Sequence, residues 1–151
     1  MTPAPERYAV IGHPVAHSLS PWIHAQFAQQ SARPLIYSTI DAPSAELALR
    51  VREFFAQGGC GLNVTVPHKQ AVLQLVDTLS ERARLAGAVN TIVRETGQSL
   101  RGDNTDGVGF VRDLTLNLGL AVAGQRVLLL GAGGAARGLL GPCLLYTSRC
   151  V

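Results

Sequence analysis

Tyr8-Ala9-Val10-Ile11-Gly12-His13-Pro14-Val15-Ala16-His17-Ser18-Leu19-Ser20-Pro21 reads as a short apolar strand, a polar turn and the opening of a helix. Four apolar residues stopped by glycine are the pattern of a strand buried on both faces of a parallel sheet. Ser20-Pro21 then offers a capping hydroxyl followed by the residue best tolerated at the first helical position. Ile23 and Phe27 keep the i, i+4 spacing of a buried face. A βα unit of this kind predicts an open α/β sheet, with ligands gathering at the carboxyl ends of its strands.

The rest of the chain repeats the alternation. Ile36 to Ile40 reads as a second strand, and Ser44 as the cap of a helix carrying Leu47, Val51 and Phe54 or Phe55, stopped by Gly58-Gly59. Gly61 to Val66 is a third strand, broken by Pro67. Helical patterns follow over Ala71–Val76 and, after Ser80, over Glu81–Ala86. Val89–Val93 and Ser99–Arg101 resemble two strands joined at Thr96-Gly97. A helix from Asp106 carries Val108, Val111, Leu114 and Leu118 on one side, and Arg126–Leu130 is an apolar strand running into glycine. The expected fold is α/β, a mostly parallel sheet with flanking helices, with a new βα unit starting near Gly119–Gln125.

Composition narrows the function. Hydrophobic residues make up 47% and charged residues 15% of the 151 positions, as in a globular chain. The net charge of +3 is scattered, and no run of basic and aromatic residues suggests a nucleic-acid partner. No apolar stretch approaches the roughly 20 residues that span a bilayer. The N-terminus lacks the basic start and apolar core of a signal peptide. Cys60, Cys143 and Cys150 are odd in number and without zinc-ligand spacing, which suits a reduced, cytoplasmic protein. His13 and His17 are spaced i, i+4, but Pro14 between them argues against a helix holding a metal, so none is expected.

Three constellations could carry chemistry. Ser18 and Ser20 sit between strand and helix, where their hydroxyls and the helix N-terminus suit a hydroxylated or anionic ligand; Ser20 serves equally as a simple cap. Lys69 follows Pro67 in what reads as the first turn of a helix, where the dipole disfavours a cation. It is either a harmless surface residue or a general acid or base. Asn90 is a polar amide in a strand pattern, which needs a partner. Asp106 ends the polar run Asp103-Asn104-Thr105-Asp106 between two glycines, a tight turn or a ligand cradle, and it too could be only a cap. Finally, Gly131-Ala132-Gly133-Gly134-Ala135-Ala136 after an apolar strand is a G-x-G-x-x-A variant of the dinucleotide fingerprint. A lysine and a carboxylate beside such a loop suggest proton transfer coupled to hydride transfer.

Taken together these residues resemble the shikimate dehydrogenases. The resemblance runs from Arg7 to about Gly141 and rests on Gly12–Pro21, Asn63–Lys69, Gly87–Thr91, Gly102–Gly107 and Gly131–Ala135, in order. It implies a substrate domain over 1–118 and, over 119–142, the first βα segment of a Rossmann domain that is cut short. By resemblance Ser18, Ser20, Thr65, Lys69, Asn90 and Asp106 hold shikimate, with Lys69 and Asp106 as the acid–base pair. Gly131, Ala132, Gly133, Gly134 and Ala135, with Glu81, would meet the cofactor NADP. The implied reaction is the reversible NADPH-dependent reduction of 3-dehydroshikimate to shikimate in aromatic amino-acid (chorismate) biosynthesis. The implied partners are a small-molecule substrate and, at full length, a second copy in a homodimer.

His68 stands where many relatives carry an aromatic residue, a tolerated variation that could still influence Lys69. Two other readings stay open: a quinate/shikimate dehydrogenase using NAD, and a noncatalytic shikimate-binding module. Residues 143–151 read as a foreign tail, because they can be encoded by an inverted repeat resembling a transposon end. The 151 residues are expected to have little turnover by themselves.

Overall fold

The computed structural model describes residues 4–146. β1 (Glu6–Gly12) pairs in parallel with β2 (Leu35–Asp41) on one side and β3 (Gly59–Val64) on the other. β5 (Thr91–Arg94) runs antiparallel to β3 and to β6 (Leu100–Asp103), and the short β4 (Thr78–Leu79) pairs in parallel with β6. The order is β2-β1-β3-β5-β6-β4, a mostly parallel sheet with helices on its faces. These are α1 (Ser20–Ser31), α2 (Leu47–Ala56), α3 (Glu81–Ala86), α4 (Asp106–Arg112) and α5 (Gly134–Tyr146).

The core follows from the period-2 and period-3.6 patterns meeting. Ala9, Ile11, Leu62, Val64 and Ile92 present one face of the sheet to Leu47, Val51, Phe54 and Phe55 of α2. Each of the Val, Leu, Ile and Phe side chains contributes roughly 1.5–3 kcal/mol by leaving water. The ring of Phe54 lies where a Cβ on Gly59 would stand, so only glycine lets α2 close on the start of β3.

Several expectations need correction. Ile23 and Phe27 are exposed, and α1 meets the sheet instead through His24, stacked on Tyr37 with ring centroids 4.0 Å apart. Ser44 is not the cap of α2; a Pro43–Glu46 turn leads in, and Glu46 occupies the cap position without a side-chain bond. Lys69 is not in an α-helix. Bonds of the i to i+3 kind, His68 N–H to Thr65 O and Leu73 N–H to Gln70 O, tighten this stretch into a turn and a 3₁₀ segment, Ala71–Leu75. Asn90 lies just before β5 rather than within it. α4 buries only Gly107 and Val111 before widening into a π turn, Asp113–Asn117, so Val108 and Leu118 stay exposed.

The Arg126–Leu130 strand does not form. A strand exists only by pairing, and the six-stranded sheet closes without it, leaving Leu128 and Leu130 83% and 85% exposed. α5 follows the glycine loop as expected but packs on α3 and α4. It also runs on through Tyr146, so the first part of the stretch read as a foreign tail is helical; residues 147–151 lie outside those described.

The carboxyl end of β6 is tied to α3 by one carboxylate. Ser80 caps α3 by accepting from the Ala83 N–H at 3.1 Å and donates to Asp103 at 2.5 Å. Arg82 donates to both oxygens of Asp103, and the Asn104 N–H adds a third partner at 2.7 Å. The Arg82 guanidinium, with Ser80 and Asn104, holds the Asp103 carboxyl well below the usual carboxylate range. Its stabilisation is therefore complete above the ordinary Asp value of about 4 and is lost as pH falls through the lower folded value. Urea titrations between about pH 4 and pH 2 should show Asp103→Asn losing less stability than the parent. Parallel acid limbs for the two proteins would contradict this.

Candidate active site

Three polar side chains from three separate segments converge beyond the ends of β3, β5 and β6. Lys69 Nζ donates to Asp106 Oδ2 at 2.6 Å, and only 14% and 24% of the two side chains is exposed. A charge-assisted bond this short is among the stronger single contacts a protein makes. Asp106 opens α4, but its carboxylate does not cap the helix; Oδ1 accepts from Asn90 Nδ2 at 2.7 Å. Asn90 Nδ2 also reaches Thr105 Oγ1, while its Oδ1 accepts from the Thr105 N–H and from Thr91 Oγ1, each at 2.9 Å. A buried amide is thus satisfied at both ends, and both oxygens of Asp106 are committed.

The backbone holds Lys69 as firmly as the side chains do. The Val89 N–H donates to Lys69 O at 2.7 Å, binding the turn after β3 to the segment entering β5. Lys69 is the only lysine of the sequence, among twelve arginines. An ammonium carries three N–H groups, so with one on Asp106 two others can meet a ligand oxygen and one proton can be transferred to it.

Ser18, Ser20 and Thr65 form a second group. They line a cavity of about 310 Å³ with His13, Val15 and His17 at the carboxyl end of β1. Ser20 is the first residue of α1 rather than its cap, Leu19 takes the cap position without a side-chain bond, and Ser18 Oγ accepts from the Ser20 N–H at 3.3 Å. The Thr65 methyl sits where a Cβ on Gly12 would be, and two bonds close the strand ends: Thr65 N–H to Ile11 O at 2.9 Å and His13 N–H to Val66 O at 3.0 Å. Thr65 lies four residues before Lys69, so one turn joins the two groups, although Lys69, Asn90 and Asp106 are not among the lining of this cavity. A larger cavity of about 500 Å³, beside Tyr8, His24, Tyr37 and Asn63, contains none of the expected site residues. Burial there pushes the Tyr37 hydroxyl up to about 12, and it donates to Asn63 Oδ1 at 2.7 Å.

Two residues do more than the sequence reading gave them. His68 is fully buried and its Nε2 lies 2.7 Å from Ala42 O, which fixes the tautomer with the proton on Nε2 and pins the Lys69 turn to the end of β2. Its place between Pro67 and Lys69 was the available signal. Asn104, noted only as part of a polar run, is 3% exposed and bonded through both amide atoms.

The glycine loop is open. Gly131 adopts φ +129°, a Cβ on Gly133 would meet nothing within 4 Å, and α5 begins at Gly134 with its first N–H groups facing the loop. Arg137 Nε donates to Ala132 O at 3.3 Å and steadies it. Bare glycines before a helix N-terminus are the donor set that a pyrophosphate needs. Glu81 sits in the first turn of α3, an ordinary place for a carboxylate, and is exposed. His13, once paired with His17 on spacing, instead meets Asp41 at 3.0 Å.

Comparison with known proteins agrees with this geometry. A family model described as the shikimate dehydrogenase substrate binding domain matches residues 10–92. The chain belongs to that family. Among curated relatives, a shikimate dehydrogenase (NADP(+)) of Xanthomonas euvesicatoria is 59% identical over 139 residues, 92% of this chain and 48% of the relative. The chain therefore spans about half the length of the curated relatives it matches. Among solved structures, a shikimate 5-dehydrogenase of Thermus thermophilus in complex with NADP(H) and shikimate superposes with a TM-score of 0.82 at 38% identity, over 91% of this chain and 51% of that one. A shikimate dehydrogenase of Aquifex aeolicus gives a TM-score of 0.88 at 34% identity, over 97% and 55%. No helix among the described residues is long and apolar enough to cross a membrane.

The satisfied amide of Asn90 makes a direct prediction. Asn90→Ala leaves Asp106 Oδ1 and the Thr105 N–H without their partner and should cost about 1–3 kcal/mol in urea unfolding. A change below about 0.5 kcal/mol would mean that the network is not held as described.

Proposed function

We propose that this chain holds shikimate and 3-dehydroshikimate for a NADP-dependent shikimate dehydrogenase, with Lys69 and Asp106 as its acid–base pair. The observation that carries the reading is the Lys69–Asp106 bond, braced by Asn90 and set four residues from a hydroxyl-lined cavity. Names of the relatives support it: those matched are NADP(+) shikimate dehydrogenases, and one solved structure holds NADP(H) with shikimate.

In this reading Ser18, Ser20 and Thr65 take the substrate carboxylate, through hydroxyl donors aimed into the 310 Å³ cavity. Lys69 meets a ring oxygen, and Asn90 does so by exchanging the Thr105 Oγ1 that its Nδ2 now holds for a ring oxygen. The glycine loop suits NADP, whose reduced form supplies a hydride to the carbonyl carbon. As the carbonyl π pair moves onto oxygen, Lys69 Nζ gives that oxygen a proton and is left as a neutral amine, reprotonated from solvent. Asp106 orients the ammonium and accepts from a neighbouring substrate hydroxyl. In the reverse direction the same amine removes the hydroxyl proton. Gly131 to Ala135 receive the pyrophosphate, and Glu81 stands near the cofactor in the same proposal.

The division into a substrate part over 1–118, a nucleotide part over 119–142 and a non-native stretch over 143–151 belongs to this reading, as do a cytoplasmic setting, which suits the free thiol of Cys60, and a homodimer at full length.

Calorimetry tests it on the chain itself. Shikimate should bind with one-to-one stoichiometry, and Lys69→Ala or Ser18→Ala should weaken it about tenfold or more, the scale of a lost bond to a charged group. Absence of binding at millimolar shikimate, or equal affinity in both variants, would overturn the assignment.

A further inference from the structure

The Lys69–Asp106 bond is one side of a closed ring of hydrogen bonds, and Asn104 supplies two of the others. Asn104 Oδ1 accepts from the Asp106 N–H at 3.2 Å, and its Nδ2 donates to Ala88 O at 2.9 Å. The next residue, Val89, donates its N–H to Lys69 O at 2.7 Å, and Lys69 Nζ returns to Asp106. The partners fix the amide orientation, because a backbone N–H needs an acceptor and a carbonyl needs a donor. The main chain on both sides of the acid–base pair is thereby set by one buried side chain.

The side chain of Asn104 has a lid. A Cβ built on Gly138 of α5 would stand 2.7 Å from Asn104 Oδ1 and 3.0 Å from Nδ2; one on Gly134, a helical turn earlier, would stand 2.7 Å from the Cβ of Lys69. Both glycines lie on one face of the helix behind the nucleotide loop, and Gly138 is buried. Gly109, exposed in the middle of α4, has nothing within 4 Å of its Cβ position. An alanine in a helix is ordinarily more stable than a glycine. Glycine at 138, inside the helix, therefore runs against helix preference, and close packing on Asn104 supplies the reason.

We propose that Asn104 is a positioning residue for the Lys69–Asp106 pair and that Gly138 is the packing stop that keeps it in place. The helix behind the glycine loop and the acid–base pair then share one contact. The catalytic meaning of this rests on the shikimate dehydrogenase reading, whereas the geometry does not.

Lys69 carries the only ε-amine of the chain, so trace acetylation resolved by mass spectrometry reports on the pair without any ligand. Gly138→Ala should lower the melting temperature and speed Lys69 acetylation, relative to the N-terminal amine, about threefold or more. Gly109→Ala should raise the melting temperature or leave it unchanged, with Lys69 labelling as in the parent. Asn104→Ala should speed labelling similarly, and adding Gly138→Ala to it should have little further effect, because the side chain that clashes is gone. If Asn104→Ala does not fold, the two glycine variants decide alone. A Gly138→Ala protein that behaves like Gly109→Ala would overturn the proposal. Shikimate calorimetry on the same proteins reads the other claim: no binding by the parent removes the dehydrogenase reading and leaves the labelling result standing.

Discussion

An ammonium and a carboxylate 37 positions apart in sequence meet at 2.6 Å, and much of the fold serves to bring them there. Lys69 hangs from the turn after β3, while Asp106 opens the helix after β6, and the antiparallel β5 lies between those strands. Neither charge could be held in so little water without further partners, since an unpaired ion at such depth is costly. Asn90 and Asn104 meet that requirement from opposite sides, one binding the carboxylate and the other the backbone beneath it. The anchoring reaches the core, because Ala88 and Val89 are fully buried and the Lys69 turn is tied through His68 to the end of β2.

Two hydroxyl-rich and charge-rich groups therefore occupy one end of the sheet with different rigidity. The Lys69–Asp106 group is cross-linked by side chains from three segments. Ser18, Ser20 and Thr65 surround an open cavity held mainly by backbone bonds between β1 and the residues after β3. In the proposed reading, a cross-linked Lys69–Asp106 pair beside an open pocket would fix the reacting ring carbon more closely than the carboxylate end.

Much of this was legible in the residues, for identifiable reasons. Strands β1, β2 and β3 announce themselves as short runs bounded by glycine, proline or polar residues, and helix α2 by apolar residues at helical spacing. Lys69 and Asn90 stood out because each is a poor choice for its local structure, a cation after a proline and an amide in a strand pattern, whereas Asp106 stood out through the density of polar residues between two glycines. The failures share a cause as well. Arg126–Leu130 has strand composition, but pairing is a tertiary event that composition does not encode. Ile23 and Phe27 have helical spacing, yet the His24–Tyr37 stack decides how α1 sits. The dipole argument for Lys69 failed because the residues after Pro67 form i to i+3 turns. The roles of Asn104 and Gly138 appear only once α5 lies across the site, since nothing in their neighbours marks them.

The most direct test of the central claim is a crystal structure of this chain soaked with shikimate. The account predicts a ring hydroxyl within hydrogen-bond distance of both Lys69 Nζ and Asp106, with the carboxylate among Ser18, Ser20 and Thr65. Shikimate seated instead beside Tyr37 and Asn63, or bound with Lys69 still paired only to Asp106, would contradict it.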